Sequence, residues 1–563
     1  MKRKSYITLA ALLISVFVAG QTQEDTIKRS VTLYNPYKPT LQEAVKRTVL
    51  PAAADTSKVN IEFSYDFTPG TFVPEYKVSP IKSAVLSPDP LPELKKGYVS
   101  LGFGTYLTPF LEVSVSNTRS RKGTIGLFTR TYASAGHLNL ENDDRVYAGF
   151  MDNQALLYGK KFYLRSRLDA DIDFRQMSRY AYGYNPVVTD FDPRNKDIRS
   201  VYYDITGRVR YFTMEPDSND FNWDATFRYN LFSRAGDGTQ NNPGLTIKGG
   251  TNMFGFYGAA TVDYDLWLFS DAINTKSRNL ISLAPYITKG TEDWRLKFGL
   301  KANFDLKENQ DPLHGGETKL YAYFYPDVSF TFRVIPKFLR VRVAVDGSLE
   351  NNQAHNAVYL NPWLMPGDTL FTLRNTDYQL RISAGLSGNM NVAATYAFDV
   401  SYTLFKDILL FRNDTTGPGN YFLPVYDDGN LLKVHGEVTY PVNHLLKLSL
   451  LANYYGYDLS SQEYAWHKPG WEGSLKADYN LRNKIVASAE LSIIGPRHAM
   501  VAAPEKVVNL PVHPNLNLGV EYKYTQALSF WLKCDNISYN RYYEWNYYLA
   551  RNFMILAGFT YSL

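Results

Sequence analysis

The stretch Lys161–Gln176, "KFYLRSRLDADIDFRQ", alternates without a break. Phe162, Leu164, Ser166, Leu168, Ala170, Ile172 and Phe174 fall on one side, and Tyr163, Arg165, Arg167, Asp169, Asp171, Asp173 and Arg175 on the other. In a strand, successive side chains point to opposite faces, so this segment has one oily face and one ionic face. Strands of soluble proteins usually run about five or six residues, and this pattern holds much longer. Apolar outside with ionic inside is the pattern of a membrane-spanning β-barrel.

The same alternation recurs along the chain. Val328, Phe330, Phe332 and Val334 oppose Asp327, Ser329, Thr331 and Arg333. After a turn containing Pro336, Leu339, Val341, Val343 and Val345 oppose Arg340, Arg342, Ala344 and Asp346. It returns in Tyr396–Leu404, Leu446–Ala452 and Ile485–Ile493. Short connections ("YGKK", "TKGTED", "VIPK", "NLRN", "YTQA") alternate with long polar ones such as "NNQAHNAVYLNPWLMPGDT", as expected of short periplasmic turns and long external loops. The fold class is therefore all-β: a transmembrane antiparallel β-barrel of about 22 strands, with 16 to 20 as the alternative, at the boundary precision of single-sequence reading. Splitting "GLTIKGGTNMFGFYGAATVDYDLWLF" into two strands brings the long loops to one side.

The start of the chain reads as an export leader. Lys2, Arg3 and Lys4 precede an apolar run from Ile7 to Val18 and small residues before Gln21, the plan of a cleaved signal peptide, residues 1–20. Three of the positive charges behind the formal +5 lie in this leader. The remainder is near neutral, which gives no footing for nucleic acid. Cys534 is the only cysteine, so no internal disulfide staples the exported chain. Charged residues make up 20%, and Tyr (44), Phe (32) and Trp (8) are abundant. Gram-negative outer-membrane localisation follows, with outer-membrane lipid and the barrel assembly machinery as expected partners.

Residues 97–563 are assigned to the barrel, ending in "NFMILAGFTYSL" (Asn552–Leu563). Ile555, Ala557, Phe559, Tyr561 and Leu563 share one face. A strand this regular needs a partner on both edges, so it closes against the region near "GYVSLGFGTYL". Within "LKCDNISYNRYYEWNYYLARNFMILAGFTYSL", Asn536, Tyr542, Tyr543, Arg551, Gly558, Phe559 and Tyr561 resemble the final strand pair of TonB-dependent receptor barrels, of the Bacteroidota type in their tyrosine-rich style. The resemblance implies an outer-membrane barrel for solute binding or transport. It also implies that Gly558, Tyr561 and Leu563 form the terminal assembly signal, with Leu563 standing where phenylalanine is commoner.

The resemblance does not extend to the front of the chain. Those receptors carry a longer folded plug than Gln21–Lys96 can supply. This segment offers Thr40 and Glu43 at capping-box positions, an alternating run from Val59 to Phe67, and a proline-rich linker (Pro69 to Pro92). It reads as a reduced plug or as an arm for a periplasmic or lipoprotein partner. The second reading of the whole protein is accordingly a non-enzymatic structural or assembly subunit.

No catalytic set, cofactor motif or metal site stands out. The eight histidines (His137, His314, His355, His435, His444, His467, His498 and His513) lack metal spacing and read as surface or loop residues. "GFGTY" lacks the third glycine of a dinucleotide fingerprint and reads as a barrel strand with small inward residues. Glu141, Asp143 and Asp144, or Asp190, Asp192 and Asp197, read as solvated loops rather than calcium ligands. Tyr542, Tyr543, Trp545, Tyr547 and Tyr548 read as interfacial girdle or loop packing, and Cys534 as an inert strand residue. The candidate lumen-facing charges are Arg165, Arg167, Asp169, Asp171, Asp173, Arg175, Arg333, Arg340 and Arg342. Two readings of them stay open, a selective path and a static ion-pair lattice.

Overall fold

A computed structural model describes residues 94–563, apart from 118–119, 188–190, 193–197, 215–219, 272–276, 309–316, 391–392, 415–416 and 502–505. The leader, the front segment to residue 93, Asp190, Asp197 and His314 lie outside the described residues.

A single 22-stranded antiparallel sheet closes on itself. Each strand pairs with its neighbours in the chain, and the first strand, Gly97–Gly104, pairs with the last, Met554–Ser562, in the register Tyr98↔Ser562 to Gly104↔Leu556. The Lys96 N–H donates to the Leu563 carbonyl and the Leu563 N–H to the Gly97 carbonyl, at 2.8 and 2.7 Å. No barrel strand keeps a free edge, which is the condition for β-structure in hydrocarbon.

The outward face carries the apolar half of each alternation. Leu157, Ile172, Val209, Phe227, Phe298, Phe324, Phe330 and Leu450 are all exposed. An apolar surface belongs in contact with lipid tails, and this is the architecture of an integral outer-membrane protein. Cys534 shares the outward face of its strand with Phe530 and Leu532 and is half-buried. Among the described residues the only helices are Ala354–Leu360 and Asp368–Phe371, both in one loop.

Short turns occupy one end, with 163–165, 254–255, 291–293, 336–338 and 482–484 among them. Longer loops at the other end include 135–149, 181–198, 351–375, 495–512 and 536–553. The stretch read as two strands does split, at Phe254–Gly255. Both residues have positive φ (52° and 77°), the geometry of a two-residue hairpin turn matched to strand twist.

Two expectations need correction. "YGKK" is not a turn: the strand Phe150–Phe162 runs through it, with Gly159 paired to Ile125 and to Ala170. Ladder hydrogen bonds on both sides outweigh the local turn preference of Gly-Lys. The chain reverses instead at Tyr163–Arg165, closed by the Tyr163 N–H on the Ser166 carbonyl at 2.8 Å. Arg165 therefore lies in a turn, with 82% of its side chain exposed and Asp220 of the adjacent turn 3.4 Å away. It does not belong to the strand face assigned to it.

The wall is uneven. Strands beside the closure, Gly97–Gly104 and Leu528–Asp535, have 8 residues each. Thr395–Asn413 and Phe422–Pro441 have 19 and 20.

Candidate functional site

The strand Ser166–Tyr180 turns its charged side inward, where each carboxylate meets a guanidinium. Arg167 reaches Asp169 at 2.8 Å, Arg175 reaches Asp173 at 2.8 Å, and Arg208 of the next strand reaches Asp171 at 3.0 Å. Arg210–Asp224, Arg228–Asp265 and Arg278–Asp305 continue the series at 2.6, 2.5 and 2.6 Å. On this arc the static lattice describes the wall. Arg333 only approaches Asp293, at 3.8 Å. Among the described residues, Arg340 and Arg342 have no ion pair.

The closing seam is packed from inside by one indole. Gly102 and Gly558 are direct partners in the register, and the Trp531 ring crosses both. A Cβ on Gly102 would lie 2.3 Å from Trp531 Cη2, and one on Gly558 2.4 Å from Cζ2. Trp531 Nε1 donates to Ser100 Oγ at 3.0 Å. Tyr561 and Leu563 are exposed on the outer face. In "GFGTY", Gly102–Gly104 is strand with small inward residues, as read, but Thr105 and Tyr106 belong to the turn that follows.

The long loops do not stand out as separate solvated arms. They fold together into an apolar core that includes Leu138, Val146, Tyr182, Ile198, Val358, Trp363, Leu364, Phe371, Phe422, Tyr548 and Leu549. The loop 351–375 carries its apolar residues for this purpose. Ala354, Ala357 and Val358 sit at i, i+3, i+4 on the short helix Ala354–Leu360 and are buried, and Asn361-Pro362 ends it. Trp363 follows, stacked on Tyr548 with ring centroids 3.8 Å apart. Tyr548 also meets Tyr182 edge-on at 5.1 Å, and its hydroxyl donates to the Asn420 carbonyl. Burial pushes the Tyr548 and Tyr182 hydroxyls well above the usual tyrosine range. Backbone contacts add to the packing: Asn185 N–H to the Pro418 carbonyl, and Phe422 N–H to the Trp363 carbonyl, at 2.8 and 2.9 Å. These loops arise from strands far apart around the barrel, so together they form a lid at the loop end.

The tyrosine cluster is loop packing, not a girdle. His467 corrects the surface-or-loop reading in part: it is in a loop, 460–470, but 6% exposed. Its Nδ1 lies 2.9 Å from the Phe411 carbonyl and its Nε2 accepts from the Asn546 N–H at 3.4 Å. That pair of contacts fixes the neutral tautomer with the proton on Nδ1. Burial lowers its pKa to about 3, and Arg497 adds to the effect. An opened lid returns this imidazole to ~6.5. Below that pH the open form takes up a proton that the closed form refuses, so the closed lid loses stability as pH falls from about 6.5 towards about 3. Protection factors for hydrogen exchange of 460–470 and 536–553, taken against the intrinsic rate at each pH, should fall on acidification, and His467→Gln should flatten the response. An unchanged profile in the variant would refute the assignment.

Under the lid is a cavity of about 260 Å³ lined by Tyr132, Phe150, Asp152, Arg179, Tyr180, Tyr182, Trp363, Glu544 and Arg551. Arg179 holds Asp152 through two bonds at 2.7 and 3.1 Å. Arg551 donates through Nη2 to the Ala148 carbonyl at 2.5 Å and lies over the Phe150 ring. Its buried Nε has no partner. The Glu544 carboxylate makes no hydrogen bond among the described residues. Glu544 is open to water yet enclosed by protein, and desolvation raises its pKa despite Arg551, Arg179 and Arg497 nearby. An unused acceptor beside a guanidinium, between aromatic walls, suits a small polar guest. Sequence reasoning missed this cavity, although "NAVYLNPWLMP" is too apolar for a solvated loop. Among the described residues no group of three His, Cys, Asp or Glu could hold a metal ion. In the acidic loop 141–144, Asp144 accepts instead from Asn142 at 2.9 Å and from the Tyr184 hydroxyl.

No family model matches the sequence, and no curated protein matches it. Solved structures do match the fold. The FrpB iron transporter from Neisseria meningitidis aligns with a TM-score of 0.64 at 10% identity, over 84% of this chain and 82% of that one. The pyoverdine outer membrane receptor FpvA from Pseudomonas aeruginosa aligns at 0.62 and 12%, over 84% and 79%. The ferric-catecholate import receptor Fiu from E. coli K12 aligns at 0.58 and 9%, over 84% and 82%. At such identities the likeness is one of architecture, and the architecture is that of the outer-membrane receptor barrels.

Proposed function

We propose that this protein is an outer-membrane barrel for solute binding and uptake, with the packed loops acting as its outer gate. The observation that carries the reading is the lid: an apolar core built across the mouth of a polar lumen, above a cavity lined by Asp152, Arg179, Glu544 and Arg551. A purely structural wall has no need of a polar cavity behind a folded door. The solved structures of similar fold are named as an iron transporter, a pyoverdine receptor and a ferric-catecholate import receptor, which supports uptake as the class of activity. The proposal includes a cleaved leader at residues 1–20, a periplasmic or lumenal segment at 21–96, and recognition of Gly558, Tyr561 and Leu563 by the assembly machinery. No step requires a reacting side chain, so the protein is assigned as a non-enzyme.

The test is solute flux. In proteoliposomes the intact protein should pass small sugars and amino acids slowly. A variant with residues 353–373 replaced by a short Gly/Ser linker should pass them at least tenfold faster. A lidless barrel that is inserted and heat-modifiable but no more permeable than the parent would sink the gate reading.

A further inference from the structure

The inner wall is not paired throughout. On three adjacent strands, Trp294–Glu308, Thr318–Ile335 and Leu339–Glu350, four arginines gather near the short-turn end. Arg295 and Arg342 flank Thr331 in one cross-strand row, and Arg333 stands directly opposite Arg340 in the next. Like charges directly opposite one another destabilise a sheet. Elsewhere on the wall this is answered with carboxylates, as at Arg208–Asp171 and Arg381–Asp346. Here the one ion-paired carboxylate among the described residues is Asp293, 3.8 Å from Arg333 and 66% exposed. Among the described residues, Arg295, Arg340 and Arg342 have neither an ion pair nor an aromatic ring, and all three are exposed. Their neighbours are small: Gly290 beside Arg295, Gly385 beside Arg342 and Ser387 beside Arg340. The small neighbours leave room beside the guanidiniums, although the Asp399 carboxylate leans over Gly385, its Oδ2 2.8 Å from where a Cβ would stand, without forming an ion pair with Arg342. Thr331, Ser329 and Ser387 add hydroxyl donors.

We propose that Arg295, Arg333, Arg340 and Arg342 form a binding site for a multiply charged oxyanion, a phosphate or carboxylate group of a small solute, at the short-turn end of the lumen. Adjacent strands are ~4.8 Å apart and alternate residues along a strand ~6.7 Å. Two rows on three strands therefore span about one small polyanion. Guanidinium groups present paired N–H donors matched to carboxylate and phosphate oxygens. Low-dielectric walls around a charged lining concentrate the field on an entering anion. The inference deepens the uptake reading by naming the charge class of the solute, and its binding test does not depend on flux.

The test uses the full chain in detergent at low ionic strength, titrated calorimetrically with inorganic pyrophosphate and, separately, with citrate. At least one should bind, pyrophosphate alone assigning a phosphate site and citrate alone a carboxylate site. Arg340→Ser with Arg342→Ser should weaken binding at least tenfold. Arg208→Ser, which removes a lattice pair, should leave it unchanged. Arg340→Lys with Arg342→Lys should restore part of the loss. Heat-modifiability checks that each variant is folded. No binding of either anion to the parent, or equal affinity in parent and double serine variant, would overturn the site. Binding without solute flux would leave the site standing and count against uptake alone.

Discussion

Gly558→Val is expected to abolish the closed barrel, both in cells and on refolding into detergent. A Cβ there would stand 2.1 Å from the Leu101 carbonyl oxygen of the facing strand, and that backbone is held by the closing ladder. Ordinary overpacking costs about 1 to 3 kcal/mol, but a clash with a fixed carbonyl has no rotamer that relieves it. Gly102→Ala meets chiefly the Trp531 ring, so adding Trp531→Ala should recover part of its barrel yield. The same addition should not rescue Gly558→Val. Tyr561→Asp with Leu563→Asp separates closure from recognition. Both side chains are exposed on the outer face, where a charge costs up to ~2 to 4 kcal/mol at mid-bilayer and less near the interface. If they belong to the assembly signal, this pair should refold in detergent yet fail to insert in cells. Normal insertion in cells would remove the signal from the proposal. The band that shifts between unheated and boiled samples is the measure throughout.

Opening the lid should follow from either Trp363→Ala or Tyr548→Ala. Tyr548 is fully buried and Trp363 nearly so, and truncating a buried aromatic ring costs about 3 to 5 kcal/mol. A change of ~3 kcal/mol raises the open population on the order of a hundredfold, and cleavage by protease follows that population when reclosing is fast. Protease added to intact cells should therefore cut within 351–375 far faster in either variant. The two residues touch, so the double variant should cost less than the sum. Tyr548→Phe keeps the ring and loses the hydroxyl's bonds to the Asn420 carbonyl and from the Gly183 N–H, a net ~1 kcal/mol each plus the cost of a partner left unpaired. It should lie nearer the parent than Tyr548→Ala does. Equal cleavage of the parent and all four variants, with the barrel still heat-modifiable, would show that the aromatic stack does not hold the mouth shut.

The barrel was legible because its constraint is local. The alternation in Asp327–Val334 and Leu339–Asp346 assigns inside and outside residue by residue, and the ladder between those strands keeps that assignment, with Thr331↔Arg342 and Phe332↔Val341 in register. The same signal failed at Arg165 because the alternation continues through a turn, where it no longer sorts faces. The lid was not legible because its contacts join residues with no periodic relation. Trp363 packs on Tyr548, and Tyr182 donates to the Leu549 carbonyl at 3.1 Å across hundreds of residues. Pairing within the lumen was likewise unreadable. Arg208 and Arg342 look alike in sequence, and only the neighbouring strands reveal that the first has Asp171 and the second has none.

The uneven wall has a consequence for the surrounding bilayer. A strand of 8 residues such as Leu528–Asp535 is about 27 Å long, and tilted by ~45° it covers only about 19 Å of height, less than the apolar band of ~25 Å that such barrels present. Strands of 19 and 20 residues on another part of the wall exceed that band. Lipid chains beside the seam must shorten or splay to avoid stranding apolar carbon against polar loop, while those beside the long strands stay extended. The protein thus thins the membrane on one flank only, making a soft spot in the bilayer that travels with the barrel closure.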